Sequence, residues 1–166
     1  MTWASADAAI AALFEEHARS LVRLARLFAD DRNAAEDLVQ EAFLRLRRSF
    51  HRIDSPDRTA AYLRSIVLNL ARDHNRRGLM SLRHRMPEEE SRLSVEDRIV
   101  VREDQQQVID ALQALPRRQR DCVTLRYYLD LSIPDIAMTL GISVNSVKTH
   151  LQRGMAVLEV RLEAAP

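Results

Sequence analysis

Apolar residues recur at helical spacing over most of this chain. From residue 7 to 29 they fall at Ile10, Leu13, Phe14, Leu21, Leu24 and Leu27 or Phe28, with His17 partly in register, which predicts an amphipathic helix. After the polar break Asp30-Asp31-Arg32, Asn33 stands three residues before Glu36, a capping-box spacing. The helix it opens runs to about Ser49, with Leu38, Val39, Ala42, Phe43, Leu46 and Phe50 facing inward. Ser55 can cap a third helix, and Pro56 suits its first position, where a missing N–H costs nothing. That helix extends to Arg77 on an inward face of Tyr62, Leu63, Ile66, Val67 and Leu70, and Gly78 closes it. From 79 to 104 apolar residues are sparse and unpatterned, so the segment reads as a flexible linker. Periodicity resumes with Val108, Leu112 and Leu115 before Pro116, then Val123, Leu125 or Arg126, Tyr127 and Leu129. No strand-length alternation occurs. The expected fold is all-α: two small helical domains, 7–78 and 105–163, joined by the linker 79–104.

The densest local signal is LSIPDIAMTLGISVNSVKTHLQR, residues 131–153. Ser132 with Asp135 three positions on predicts a helix start, and Pro134 falls in the first turn. Ile136, Ala137 and Leu140 form one face, and Gly141 can take the positive φ that ends a helix. Ser143 caps a second helix with Val144, Val147, Leu151 and Met155 on its apolar side, continuing through Val157, Val160 and Leu162. Two short helices about a glycine turn make a helix-turn-helix pattern. The second helix turns Asn145, Ser146, Lys148, Thr149, His150, Gln152 and Arg153 away from that stripe, a face suited to base edges and phosphates.

Composition narrows this picture. Glycines number three and prolines five in 166 residues, little punctuation for a strand-rich chain. The net charge is +1, so global charge does not announce nucleic acid. Cys122 is the single cysteine, which excludes an internal disulfide and a cysteine-based metal site. The histidines, at 17, 51, 74, 84 and 150, have no ligand-type spacing. No cofactor or metal is expected. Asp73-His74 has no partner at ligand spacing, which leaves little for an enzyme. No apolar run reaches membrane-spanning length, and the N-terminus lacks a basic segment followed by an apolar core; a cytoplasmic protein without membrane insertion is expected.

Two helix faces stay open to more than one reading. Asp37, Gln40, Glu41, Leu44 and Arg48 share one side of the second helix. That side is either a protein-docking surface or a solvated face with one stray leucine. Ser65, Asn69, Arg72 and Arg76, with Arg77 beside them, make a basic, hydrogen-bonding stripe on the third. It is either a nucleic-acid contact or a helix end whose positive charge the macrodipole favours.

The chain resembles the sigma-70 family of bacterial RNA polymerase initiation factors, in its small extracytoplasmic-function (ECF) subgroup, over about residues 10–162. AEDLVQEAFLRLRR at 35–48 is similar to the family's most recognisable motif, and YLRSIVLNLARDHNRR at 62–77 to its −10-reading helix (sigma domain 2). LQALPRRQRDCVTLRYYLDLSIPDIAMTLGISVNSVKTHLQR resembles the −35-reading domain (sigma domain 4). The resemblance implies a non-enzymatic subunit that joins core RNA polymerase and directs promoter-specific initiation and melting. It implies docking of Asp37, Gln40, Glu41, Leu44 and Arg48 on the β′ clamp helices, with the β flap as a second contact. It implies −10 contacts from His51, Arg52, Asp54, Ser55, Arg58, Ser65, Asn69, Arg72, Arg76 and Arg77, the loop 51–58 holding a flipped base. It implies −35 contacts from Ser143, Asn145, Ser146, Lys148, Thr149, His150 and Arg153. An anti-sigma factor is a further partner common in this group. The sequence departs from the family pattern at Ala61-Tyr62, where a tryptophan is frequent, at Asn145-Ser146 in place of Gly-Thr, and at His150 in place of arginine. These leave the DNA sequence read open. The alternative is a helix-turn-helix regulator of response-regulator type, which needs the C-terminal hairpin but not the face at Asp37–Glu41.

Overall fold

The computed structural model describes residues 3–29, 31–77 and 95–164. Every regular element among them is helical, as the apolar spacing predicts. They are α1 (Trp3–Arg26), α2 (Arg32–Ser49), a 3₁₀ turn (Phe50–Arg52), α3 (Pro56–Arg77), α4 (Val95–Gln113), α5 (Arg117–Tyr128), α6 (Ile133–Leu140) and α7 (Val144–Glu163). The chain forms two compact units.

The first unit is built on α1, α2 and α3, with α2 packed against both others. Its core takes Leu21, Leu24 and Ala25 from α1, Leu27, Phe28 and Ala29 from the turn that follows, and Val39, Ala42, Phe43 and Leu46 from α2. From α3 come Leu63, Ile66, Val67, Leu68 and Ala71. Each buried large aliphatic side chain stabilises the unit by about 1.5–3 kcal/mol through removal from water. Two expected core residues are exposed. Phe14 is 47% exposed, its ring tilted on that of Phe43 at a centroid distance of 5.1 Å. Tyr62 is 41% exposed, and Ala61 takes the inward position beside it.

The start of α2 is also shifted from expectation. Asp31, not Asn33, is the cap: its carboxylate accepts the Ala34 N–H at 2.7 Å. That frees Glu36 to pair with Arg32 at 2.9 Å, a helical i, i+4 ion pair. For α3 the expected cap holds, with the Ser55 hydroxyl accepting the Arg58 N–H at 3.3 Å.

The second unit is built on α4, α5, the first part of α6, and α7. Ala111, Leu112, Leu115, Val123 and Leu158 form a buried cluster, with Leu151 packed against it. Val108, expected inside, is 41% exposed, and Tyr127 is 60% exposed. On α7 the buried stripe is Val147, Gly154 and Leu158, with Leu151 partly covered. Val144, Met155, Val157, Val160 and Leu162, expected to continue the apolar side, are all more than a third exposed. Gly154 explains the shift. A Cβ there would stand 2.8 Å from the Val123 methyl Cγ2, so α7 approaches α5 at a point with no side chain. The helix α4 begins at Val95, so residues 95–104 of the expected linker are helical. Residues 79–94 lie outside the described residues.

Cys122 is fully buried on α5. Burial, with the negative charge of Asp121 adding and the positive charge of Arg118 opposing, pushes its thiol from 9.0 up to about 11. The unfolded chain therefore loses this proton first. The stability that the neutral thiol contributes is present below about pH 9 and declines as pH rises through about 11. In the native protein at pH 8, Cys122 is expected to react with a small thiol reagent at least a hundredfold more slowly than in denaturant (on the order of that factor, for a buried thiol). Equal rates would show that α5 opens freely.

Candidate nucleic-acid interface and docking face

The hairpin α6–α7 is set by local chemistry. The Ser132 hydroxyl accepts the Asp135 N–H at 3.2 Å, and Asp135 stands in the first turn of α6, where the helix dipole favours a carboxylate. Gly141 ends α6 at φ +66, and the Ile142 N–H returns to the Ala137 carbonyl at 3.1 Å, closing a Schellman-type turn. Ser143 then caps α7, accepting the Ser146 N–H at 3.0 Å. Ile136 and Val147 have no exposed surface and pin one side of each helix inward.

That anchoring fixes what α7 presents. Asn145, Lys148, Thr149, Gln152 and Arg153 are exposed on the sides away from Val147, Leu151 and Leu158. The polar side chains there divide in two. Ser143 and Ser146 are hydrogen-bonded to each other at 2.9 Å, and the Thr149 hydroxyl donates to the Asn145 carbonyl at 3.0 Å. Those three are partly occupied in holding the helix start. Among the described residues, Asn145, Lys148, Gln152 and Arg153 have no side-chain partner within the chain. Gln152 was visible in the sequence as part of the polar face, and the structure places it beside Lys148 and Thr149 on that surface. His150 differs from the rest: it is half-buried at the edge of the inward stripe, and its Nδ1 is buried without a hydrogen-bond partner.

In the first unit, the face of α2 opposite its buried stripe carries Asp37, Gln40, Leu44 and Arg48, all exposed. Leu44 is 51% exposed, an apolar side chain with charged and amide neighbours one turn away on either side. Glu41 is half-buried in an i, i+4 ion pair with Arg45 at 2.9 Å. Exposed pairs of this kind contribute about 0.3–0.5 kcal/mol, so Glu41 can exchange its partner at little cost.

His51 and Arg52 are exposed on the 3₁₀ turn, which makes the front of the expected loop helical. Asp54 and Arg58 are exposed and paired across the α3 cap at 3.5 Å, and Ser55 is taken up by its capping role. Along α3, Ser65 is half-buried and Asn69 exposed, and the Arg72 guanidinium donates to the Asn69 amide oxygen at 3.0 Å. The structure thus brings Asn69 and Arg72 together as one polar pair. Arg76 and Arg77 end the helix, and their side chains lie outside the described residues. Asp73 is exposed beside half-buried His74. Among the described residues no group of three or more His, Cys, Asp or Glu could hold a metal ion, and no helix is long and apolar enough to cross a membrane.

Two small helical domains, one ending in a helix-turn-helix, define a transcription-factor architecture, and comparison with known proteins gives its family. Residues 13–78 match the model of sigma-70 region 2, and residues 105–158 match that of sigma-70 region 4. The RNA polymerase sigma-E factor of Streptomyces avermitilis is 32% identical over 91% of this chain and 86% of its own length. The ECF RNA polymerase sigma factor SigL of Mycobacterium tuberculosis is 31% identical over 96% of this chain and 93% of its own. Among solved structures, CnrH in complex with the cytosolic domain of CnrY is similar at a TM-score of 0.73 and 26% identity, over 99% of this chain and 96% of CnrH. The chain belongs to the ECF group of the sigma-70 family of RNA polymerase sigma factors.

Proposed function

We propose that this chain is a promoter-selecting subunit that joins core RNA polymerase through the exposed side of α2. The observation that carries the proposal is the coincidence of two things. The region 2 and region 4 matches fall on residues 13–78 and 105–158, and each contains an exposed polar face with no role in its own core. Asp37, Gln40, Glu41, Leu44 and Arg48 dock on the β′ clamp helices, and the second unit adds a contact with the β flap. His51, Arg52, Asp54, Ser55 and Arg58 form the pocket for a flipped −10 base. Ser65, Asn69, Arg72, Arg76 and Arg77 lie along the adjoining DNA. Taking a base out of the stack couples recognition to melting. The hairpin enters the −35 major groove, with Asn145, Lys148 and Arg153 making contacts, Ser143, Ser146 and Thr149 lining the approach, and His150 at its margin.

Each domain is a weak reader. Held on one polymerase, binding of the first raises the effective concentration of the second, so the pair discriminates where neither does alone. The net charge of +1 fits a subunit that depends on polymerase for its place on DNA. CnrH was solved with the cytosolic domain of CnrY bound, which supports a regulatory protein partner of anti-sigma type here.

The hairpin assignment is tested by salt dependence. Lys148→Ala and Arg153→Ala are each expected to weaken promoter binding by the polymerase complex and to lower the slope of log K against log salt by about 0.9. Asn145→Ala is expected to change the ranking of −35 sequences with the slope unaltered. Slopes and rankings that all stay at wild-type values would remove α7 from the DNA.

A further inference from the structure

Arg126 stands in the last turn of α5, half-buried, and none of the faces described above uses it. Its guanidinium Nη1 donates to the Leu131 carbonyl at 2.7 Å. Between the two, the chain reverses through Asp130 at φ 52, the non-glycine residue with positive φ among those described. A left-handed conformation is unfavourable for a residue with a Cβ, although Asp tolerates it better than most. The Leu131 N–H returns to the Leu125 carbonyl at 3.2 Å. Leu131 is therefore held to α5 at both its N–H and its carbonyl. The next residue is Ser132, the cap of α6. A strained turn tied to the preceding helix at two points fixes where α6 begins, and the Gly141 turn passes that placement to α7.

We propose that Arg126 is a positioning residue for the DNA-reading hairpin, clamping the α5–α6 turn so that α7 presents its polar face at one angle. The proposal rests on the reading of α7 as the −35 contact. A planar guanidinium suits this role better than an ammonium. It is always charged, and its N–H groups are set in a rigid fork, so the bond to one carbonyl oxygen also fixes direction. A reading element held loosely keeps its contacts but loses the geometry that tells one base pair from another.

The experiment uses the full chain assembled with core polymerase on promoter fragments carrying the preferred or an altered −35 element. Arg126→Met retains an apolar stem and removes the donor; Arg126→Lys retains the charge without the fork. In Arg126→Met, affinity for the preferred promoter is expected to fall roughly tenfold, the loss of one charge-assisted hydrogen bond. The preference between the two −35 elements should narrow by a similar factor, while core binding and the salt slope stay at wild-type values. Arg126→Lys should recover affinity only in part and leave the preference narrowed, and it serves as the test if Arg126→Met does not fold. A slope lowered by about one unit, with full recovery in Arg126→Lys, would make Arg126 a phosphate contact and overturn the proposal. A lowered melting temperature with the −35 preference intact would make it a stabilising residue only, and overturn it equally. Asn145→Ala separates the two levels. If that variant leaves the −35 preference unchanged, the reading of α7 fails and the proposal falls with it, whereas a changed preference in Asn145→Ala alone counts against Arg126.

Discussion

A chain carrying Asp37→Ala, Gln40→Ala and Glu41→Ala together is expected to lose core-polymerase affinity by on the order of 100-fold, as truncation of central charged contacts does in other interfaces. The fold should not notice. Asp37 and Gln40 are exposed, and Glu41 is engaged only by the surface pair with Arg45. Alanine is the best helix former, so α2 itself is not weakened. The inward stripe of Val39, Ala42, Phe43 and Leu46 is untouched. The expected result is thus a clean separation: unchanged thermal unfolding and helical content, with binding to core measured by co-purification or by titration of labelled chain largely gone. Leu44→Ala should add to the loss, because a half-exposed leucine ringed by polar groups stabilises a complex most when a partner covers it. If the triple variant binds core as tightly as the wild type, the docking face lies elsewhere. The response-regulator-like reading, which needs only the hairpin, would then gain.

The second large effect is expected at Gly154. In an exposed helix, replacing glycine with alanine stabilises by about 1 kcal/mol. Here the added Cβ would meet Val123 Cγ2 at 2.8 Å and Gln119 Cβ at 3.4 Å, so α5 and α7 must part. Overpacking of this kind costs about 1–3 kcal/mol, which cancels or exceeds the propensity gain for alanine. Gly154→Val brings two further methyl groups and a β-branched residue to the same contact. It should destabilise the second unit by about 2–4 kcal/mol, at the upper end of single substitutions. Thermal unfolding of the full chain should show a lowered transition for the second unit and an unchanged one for the first. Val123→Ala makes room at the contact, so its combination with Gly154→Ala should be more stable than the sum of the separate changes implies. Strict additivity would mean that α5 and α7 do not meet at this point in solution.

How far the sequence foretells the structure depends on how local each signal is. The hairpin was legible in detail because Ser132, Gly141 and Ser143 act on their own neighbours: two hydroxyls on nearby N–H groups and one residue free to take positive φ. The inner face of α2 was legible for the same reason, since one helix with a single apolar stripe leaves no choice. The misplacements came where two answers share a spacing. Asp31 and Asn33 are both of cap-forming type, and the structure uses Asp31. Phe14, Tyr62 and Val108 sit at helical spacing from core residues, yet each is more than a third exposed, because spacing marks a face but not how far a neighbouring helix covers it. On α7 the decisive position was the one without a side chain. Gly154 carries no hydrophobic signal, so apolar spacing places Val147 and Leu151 correctly but adds Val144, Met155 and Val157, whereas the close approach runs through Val147, Gly154 and Leu158. The early start of α4 was hidden because scarce apolar residues suggested a linker. Glu, Arg and Gln, frequent over residues 95–107, are good helix formers without an apolar stripe.

The candidate faces follow the same rule. That α2 and α7 carry polar sides was readable from spacing alone. The internal pairing of Ser143 with Ser146, of Thr149 with the Asn145 carbonyl, and of Asn69 with Arg72 was not, since it depends on rotamers. Those pairings sort the candidate residues into side chains that hold the surface and side chains that the proposed function leaves to meet DNA. Arg126 had no signature in the sequence, because its partner is a backbone carbonyl beyond the turn.

A promoter-selecting subunit gives core polymerase its choice of start site. The most direct measurement is transcription by purified core polymerase on genomic DNA with and without the chain, with the 5′ ends of the products mapped. New start sites that require the chain are expected. Upstream of them should lie two shared elements at constant spacing, and the starts should disappear with the Asp37, Gln40, Glu41 triple variant. Starts that appear only when another sigma factor is also supplied, or that survive loss of the α2 face, would contradict that role.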